Sequence, residues 1–312
     1  MFRLKLVPAD TSIPFIAWRK VAIACSLLVM LASVVVAIAP GLNFGIDFKG
    51  GTLMEVRTPQ ATDLGQMRTV LNGLGLGDVA LQTFGAEDDV LLRVQQQPGG
   101  APAQQAAVVK VQQALNNSFG KVDYRRVEFV GPKVSGELIE AGVLAVGLAV
   151  VLMLIYIWFR FEWHFGVAAV LALVHDVTIS VGFLALTHLE FNLSTIAALL
   201  TIVGYSINDT VVVFDRVREN LRRYKSLALP QLLDTSINET LSRTTMTSFT
   251  TLLALIALAL FGGEVIRGFV LVMIWGIVIG TYSSIFVASP LLIWLGLEKK
   301  RGSLERAEAG AT

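Results

Sequence analysis

Six runs of about 19 or more apolar residues decide what this chain can become. They fall near 21–39, 138–159, 166–187, 191–214, 242–261 and 269–295, and each is long enough to cross a hydrocarbon layer about 30 Å thick as a helix. Inside lipid every backbone N–H and C=O needs an internal partner, so a run of this length reads as a transmembrane helix. Composition agrees, with 54% hydrophobic residues and a mean hydropathy of +0.66, values for which lipid is the main solvent. Arg19 and Lys20 precede the first run and Ala37-Ile38-Ala39 ends it, which gives it the outline of a signal peptide. Its length and the tail before it favour an uncleaved span. The single cysteine, Cys25, leaves no disulfide within the chain and no Cys-based metal site.

The expected organisation follows from where the charges sit. Arg3, Lys5, Arg19, Lys20, Arg160, the basic stretch 215–241 and the C-terminal tail lie on one side of the spans, whereas the two short connections on the other side carry only Arg267. The positive-inside rule then puts both termini in the cytoplasm and 40–137 outside. The expected layout is a cytoplasmic tail (1–20), span 1 (21–39), an outer domain (40–137), spans 2–6 (138–296) with a cytoplasmic loop at 215–241, and a cytoplasmic tail (297–312). Within the outer segment, strands are expected at 52–58, 79–84, 90–95 and 121–130, and helices at 61–75 and 102–119. That order, βαββαβ, is the ferredoxin-like α+β pattern. Pro230 and the capping-box run Ser236-Ile237-Asn238-Glu239 point to a helix start leading into span 5.

Polar groups within the spans are the candidate functional residues. Asp209 sits in "GYSINDTVVVFDRVREN" (204–220), and a lone acid at the centre of a span costs about 2.5–3.5 kcal/mol on insertion scales. Thr201, Tyr205, Ser206 and Asp209 fall within an arc of about 140° at 100° per residue, with Asn208 at its edge. On span 5, Arg243, Thr247, Thr250 and Thr251 form a second stripe about 100° wide. Asp209 and Arg243 are placed to approach each other in the cytoplasmic half of the bilayer. They form either a structural pair with Ser/Thr packing around it or a proton or ion relay, since a neighbouring cation changes how readily a carboxyl takes up a proton. His175-Asp176 in span 3 either joins this interior or forms a local pair. His164 and His188 mark span ends and read as interfacial. Gly276, Gly280 and Ser284 recur every four residues and read as a close helix contact with no chemistry of its own.

Absent motifs narrow the field. There is no G-x-x-x-x-G-K-[ST] stretch, no H-E-x-x-H and no Ser-His-Asp grouping, so neither Walker-type nucleotide binding nor hydrolysis is expected, although two membrane aspartates alone leave an aspartyl-protease reading open. No catalytic residue, metal ligand or cofactor is expected, and no nucleic-acid partner.

Five stretches in order, "GIDFKGG" (45–51), "VGPKVSGEL" (130–138), "HDV" (175–177), "GYSINDTVVVFDRVREN" (204–220) and "INETLSRTTMTSFTTLLALIALALFGG" (237–263), resemble the SecF-type members of the SecD/SecF family, in the resistance-nodulation-division superfamily. The resemblance implies a multi-pass protein of the bacterial inner membrane that works with SecD beside the SecYEG channel, with SecA and YajC more loosely. It implies use of the proton-motive force to draw exported preproteins outward. It also implies that Asp209 and Arg243 serve proton passage and that the separate-subunit form needs SecD. A passive scaffold for SecD and a small-molecule exporter of the same superfamily are the alternatives. "GIDFKGG" directly follows span 1, and Gly45, Asp47, Gly50 and Gly51 form the expected junction or hinge between membrane and outer domain, because glycine permits backbone angles that other residues resist.

Overall fold

The computed structural model describes residues 8, 11–77 and 79–297, so the expected tails fall largely outside the described residues. A 3-10 turn (Phe15–Trp18) leads into α1 (Arg19–Ile38), followed by β1 (Asn43–Phe44), α2 (Ile46–Lys49), β2 (Gly51–Arg57), α3 (Leu64–Asn72), β3 (Val79–Phe84), β4 (Ala86–Val94), α4 (Gly100–Phe119) and β5 (Asp123–Val130). The helical part is α5 (Pro132–Arg160), α6 (Trp163–Thr187), β6 (Glu190–Phe191), α7 (Leu193–Arg223), α8 (Leu229–Phe261), α9 (Glu264–Ser283), a π-helical turn (Ser284–Ala288) and α10 (Ser289–Trp294). Six helical segments, the last running through the π turn, are long and apolar enough to cross a membrane.

The sheet domain has strand order β3-β4-β2-β5, all neighbours antiparallel. This is the expected βαββαβ ferredoxin-like arrangement. Helices α3 and α4 cover one face, and Met54, Val56, Met67, Leu71, Leu92, Val111 and Leu115 fill the core between sheet and helices. Asp63 caps α3 by accepting from the Gly65 amide at 2.7 Å, which satisfies one of the free N–H groups at the helix start. Strand β4 begins at Ala86, ahead of the expected residue 90, in spite of Glu87, Asp88 and Asp89. The cross-strand partner explains this. Arg57 stands opposite Asp89 and donates a two-pronged pair of hydrogen bonds to it at 2.6 and 2.5 Å, and Arg125 adds a third at 3.2 Å.

In the bundle, small residues set the closest approaches. A Cβ on Gly276 would collide with Ile202, and one on Gly280 would touch Ser206, so the four-residue stripe of α9 does seat α7. Gly182 of α6 meets Ser33 of α1 in the same way. At the end away from the sheet domain, Phe161, Phe165, Phe214, Val217, Leu232 and Leu292 form a core that also takes in Phe15 and Ile16. The Ile16 amide donates to Asp234 at 2.8 Å, and Asn238 exchanges two hydrogen bonds with the Ile13 backbone, so the entry to α1 is tied to α8.

The expected loop at 215–241 is mostly helix, because α7 continues to Arg223 and α8 starts at Leu229. Pro230, in the first turn of α8, marks that start, as its missing N–H and fixed φ suit a first turn. The capping-box pattern at Ser236 lies inside the helix, where the Ser236 hydroxyl donates to the Leu232 carbonyl at 2.8 Å. His164, expected at the interface, is buried and stacks on Trp163.

The Arg57 hydrogen bonds hold the Asp89 carboxyl below the usual carboxylate range, and Arg125 adds to the effect. A carboxyl depressed in the folded state contributes stability above its unfolded value of about 3.9 and loses that contribution as pH falls further. Thermal unfolding of the sheet domain is therefore expected to show a stability loss below about pH 4, and Asp89→Asn should remove much of that acid limb while lowering stability at pH 7.

Candidate functional site

Two carboxylates lie inside the bundle, and the hydroxyls around them come from other spans. Asp176 of α6 is 0% exposed. Its Oδ1 lies 2.8 Å from Nδ1 of His175, and its Oδ2 accepts from Ser206 of α7 at 2.5 Å and from Ser283 of α9 at 2.7 Å. One side chain thus joins three spans. His175 and Asp176 are hydrogen-bonded to each other, and Asp176 also reaches the hydroxyls of α7 and α9 in the bundle interior. Nε2 of His175 is buried without a hydrogen-bond partner among the described residues, and its ring lies over Tyr282 with centroids 6.2 Å apart.

Asp209, one turn beyond Ser206 on α7, is 5% exposed and accepts from the Ser284 hydroxyl at 2.6 Å. Consecutive serines therefore serve the two acids, Ser283 on Asp176 and Ser284 on Asp209. They stand where α9 passes into the π-helical turn, and the Ser289 hydroxyl donates to the Ser284 carbonyl at 2.9 Å. Single π turns inside α-helices occur often at functional sites. The four-residue spacing in the sequence marks Ser284 as a packing residue and carries no signal for Ser283. The four-residue spacing pointed to the contact, but which hydroxyl would meet an acid depends on the local widening of the helix.

The polar stripes divide between inside and outside. Tyr205 donates to Ser248 at 3.1 Å, and Ser248 meets Thr281 at 2.7 Å, which links α7, α8 and α9. Ser206 is buried on Asp176. Thr201, Asn208, Arg243, Thr247 and Thr250 instead lie exposed along α7 and α8. Thr247 and Thr250 are satisfied by carbonyls of their own helix at 3.1 and 2.9 Å. No ion pair within 4 Å joins Arg243 to Asp209 among the described residues.

The junction is built rather than loose. Strand β1 pairs parallel with β6, and the Gly45 amide donates to the Phe191 carbonyl at 2.9 Å. A Cβ on Gly45 would lie 3.1 Å from that of Asn192. Asp47 accepts from the Leu193 amide at 3.0 Å, and Asn192 and Thr195 form a capping box beside it. The first turn of α7 is therefore capped in part by the segment that leads into the sheet domain. Arg93 of β4 forms an ion pair with Glu190. Gly50 and Gly51 have φ of +69° and +117°, and a Cβ on Gly51 would strike the Val94 carbonyl. Because Gly51 opens the central strand β2, its replacement would disturb the sheet as well as the junction.

The profile described as "Protein export membrane protein SecD/SecF, C-terminal" matches residues 110–298, and the "SecD/SecF GG Motif" matches residues 35–61. The chain belongs to the SecD/SecF family. It is 47% identical to the protein translocase subunit SecF of Rhodobacter capsulatus, over 96% of this chain and 94% of that one. It is also 47% identical to the SecF of Rickettsia rickettsii, over 94% of each. Among solved structures it resembles SecDF, a translocon-associated membrane protein from Thermus thermophilus, with a TM-score of 0.84 and 38% identity over 94% of this chain. It resembles SecDF in a super-membrane-facing form with a TM-score of 0.67 and 33% identity over 98% of this chain. The chain spans about 40% of the length of these SecDF chains. The SecD/SecF GG match covers the built junction, and the C-terminal match covers both acids and their serine partners.

A hydrogen bond between spans is worth about 0.6 kcal/mol on average, but one to a charged group is worth about 1.5–3 kcal/mol. Ser206→Ala and Ser283→Ala should each therefore lower the stability of the bundle by about 1–2 kcal/mol, and Thr247→Ala or Thr250→Ala by much less. Equilibrium unfolding in mixed micelles measures the order, and equal losses at all four sites would contradict the assignment of Asp176 as the node.

Proposed function

We propose that this chain is the SecF-type subunit of a protein translocase, which pairs with SecD in the inner membrane and uses the proton-motive force to promote export of preproteins through SecYEG after SecA has acted, with YajC as a looser associate. The observation that carries the proposal is the pair of buried acids, each held by a serine from the π-distorted sixth span. Membrane-embedded carboxylates held by movable hydroxyls are the parts a proton-driven device needs. An ionised Asp209 keeps Ser284 as donor and draws on the field of Arg243. A protonated Asp209 becomes a donor itself, and that exchange alters how α7 and α9 pack. Asp176 and His175 continue the relay, with Nε2 of His175 as its open end. Each charge that crosses brings about 2.3 kcal/mol per 100 mV.

Partnering with SecD is supported by the polar face left open on α7 and α8. Lipid offers no partner to the Arg243 guanidinium, so spans of another subunit should cover Thr201, Asn208, Arg243, Thr247 and Thr250. The sheet domain lies in the periplasm and both termini in the cytoplasm, a reading supported by Arg160 and the arginines at the α7 end lying on the side away from the sheet domain.

Asp209→Asn keeps size and hydrogen bonding but holds no exchangeable carboxyl proton. Gradient-stimulated translocation in vesicles should disappear in this variant, while membrane insertion and co-purification with SecD survive. Normal gradient stimulation would leave the scaffold reading as the better one. Arg243→Lys keeps the charge without the planar fork and should reduce export in part, whereas Arg243→Met should abolish the gradient-dependent component. Equal export by Arg243→Met and the unaltered protein in a cell-based assay would remove Arg243 from the relay.

A further inference from the structure

Away from the sheet domain, at the turn between α5 and α6, an apolar groove of about 500 Å³ opens between the two helices. Leu154, Ile157, Trp158, Phe161, Trp163 and Val167 line it. Immediately beyond lies a cleft of about 480 Å³ walled by Arg160, Arg218, Arg222 and Arg223 with Asp215 and Glu219. The ring of Phe161 belongs to the groove and carries guanidinium groups from the cleft, with Arg160 at 5.1 Å and Arg218 at 5.5 Å from its centroid. Groove and cleft therefore share a wall, apolar on one side and cationic on the other.

The charges of the cleft do not balance. Asp215 is engaged by Arg160 at 2.5 Å and Arg218 at 3.8 Å, and Glu219 is engaged at 2.6 Å by Arg216, which lies outside the cleft. Arg222 and Arg223 are exposed and have no carboxylate within 4 Å among the described residues. They stand one turn beyond Arg218 on α7, about 6 Å further along the axis, which is headgroup depth if the α5–α6 turn marks the edge of the hydrocarbon. Trp158 and Phe159 are 79% and 86% exposed at this same edge, as expected of an aromatic belt.

We propose that this corner binds an anionic phospholipid, with its phosphate between Arg218, Arg222 and Arg223 and one acyl chain in the groove between α5 and α6. Charge complementarity selects this occupant. A zwitterionic lipid brings its own cation against the arginines, and a free anion leaves the groove unfilled. A basic pocket between transmembrane helices beside an aromatic belt suits an acidic headgroup. The proposal rests on these helices spanning the membrane and not on the export reading, so failure of either leaves the other standing.

The test uses the chain in complex with SecD in proteoliposomes, with spin-labelled phosphatidylglycerol or phosphatidylcholine as the probe and the motionally restricted fraction as the readout. Phosphatidylglycerol should be preferred, the preference should weaken with salt, and Arg222→Gln and Arg223→Gln should each reduce it roughly fivefold. Trp158→Ala should reduce restriction of both lipids alike, which separates groove from cleft and shows that the arginine variants act on the headgroup. Equal restriction of the two lipids, or a preference unchanged in the double arginine variant, would overturn the proposal. Displacement of phosphatidylglycerol by inorganic phosphate would overturn it in favour of a free-anion site. A preference seen in the chain alone but lost in the complex would overturn it in favour of a protein segment as occupant.

Discussion

Everything else in the bundle depends on how the buried carboxylate of Asp176 is accommodated. Taking a carboxyl group out of water costs free energy in either protonation state, and only close hydrogen-bond partners offset it. Here the partners come from three helices at once: His175 on α6, with Ser206 on α7 and Ser283 on α9 as donors. The glycines of α9 are the structural counterpart of this requirement. Gly280 lets Ser206 approach the helix that carries Ser283, and a larger residue there would draw both hydroxyls away from the acid. Packing and hydrogen bonding are thus two aspects of one arrangement, since the same close approach of α7 and α9 serves both.

Helix α7 carries the consequence in both directions. Its 31 residues span about 46 Å at 1.5 Å per residue, more than the hydrocarbon layer. Its first turn is capped by Asp47 from the junction, its middle holds Ser206 and Asp209, and its far end supplies the arginines of the basic cleft. In the proposed mechanism, α7 is the route from proton occupancy to the pose of the domain, because one helix meets the junction at its first turn and carries Ser206 and Asp209 at its centre. The ion pair between Arg93 and Glu190 and the pairing of β1 with β6 hold the domain against the loop from which α7 starts.

Much of this was legible in the sequence because the relevant rules are periodic or compositional. Six spans follow from apolar length, and the βαββαβ order follows from alternation and turn residues. Asp176 and Asp209 stand out because lipid tolerates few acids. The rest lacked a period. Strands β1 and β6 have two residues each, too few to alternate, and α2 has four. The donors Ser283 and Ser284 look like packing residues until the π turn places them on the two acids. Of the two signals that together pointed to the start of α8, Pro230 lies in the first turn and the Ser236 capping pattern lies inside the helix. The proline prevailed because Leu229, Leu232 and Leu233 bury against the core shared with α6 and α7. Arg243 lies on the exposed stripe, with no ion pair to Asp209 within 4 Å among the described residues, because Thr240, Thr244 and Ser248 carry the buried polar face of α8 and the residue beside Thr244 is turned about 100° away from it.

The central claim is that proton occupancy at Asp209 sets the arrangement of α7 and α9 and, through the junction, the pose of the sheet domain. The most direct measurement is the distance between spin labels on α4 of the sheet domain and on the far end of α7, taken in the SecD complex in vesicles with and without an imposed proton gradient. The account predicts a distance distribution that shifts with the gradient in the unaltered protein and stays fixed in Asp209→Asn. The same shift in both proteins, or no shift in either, would contradict it.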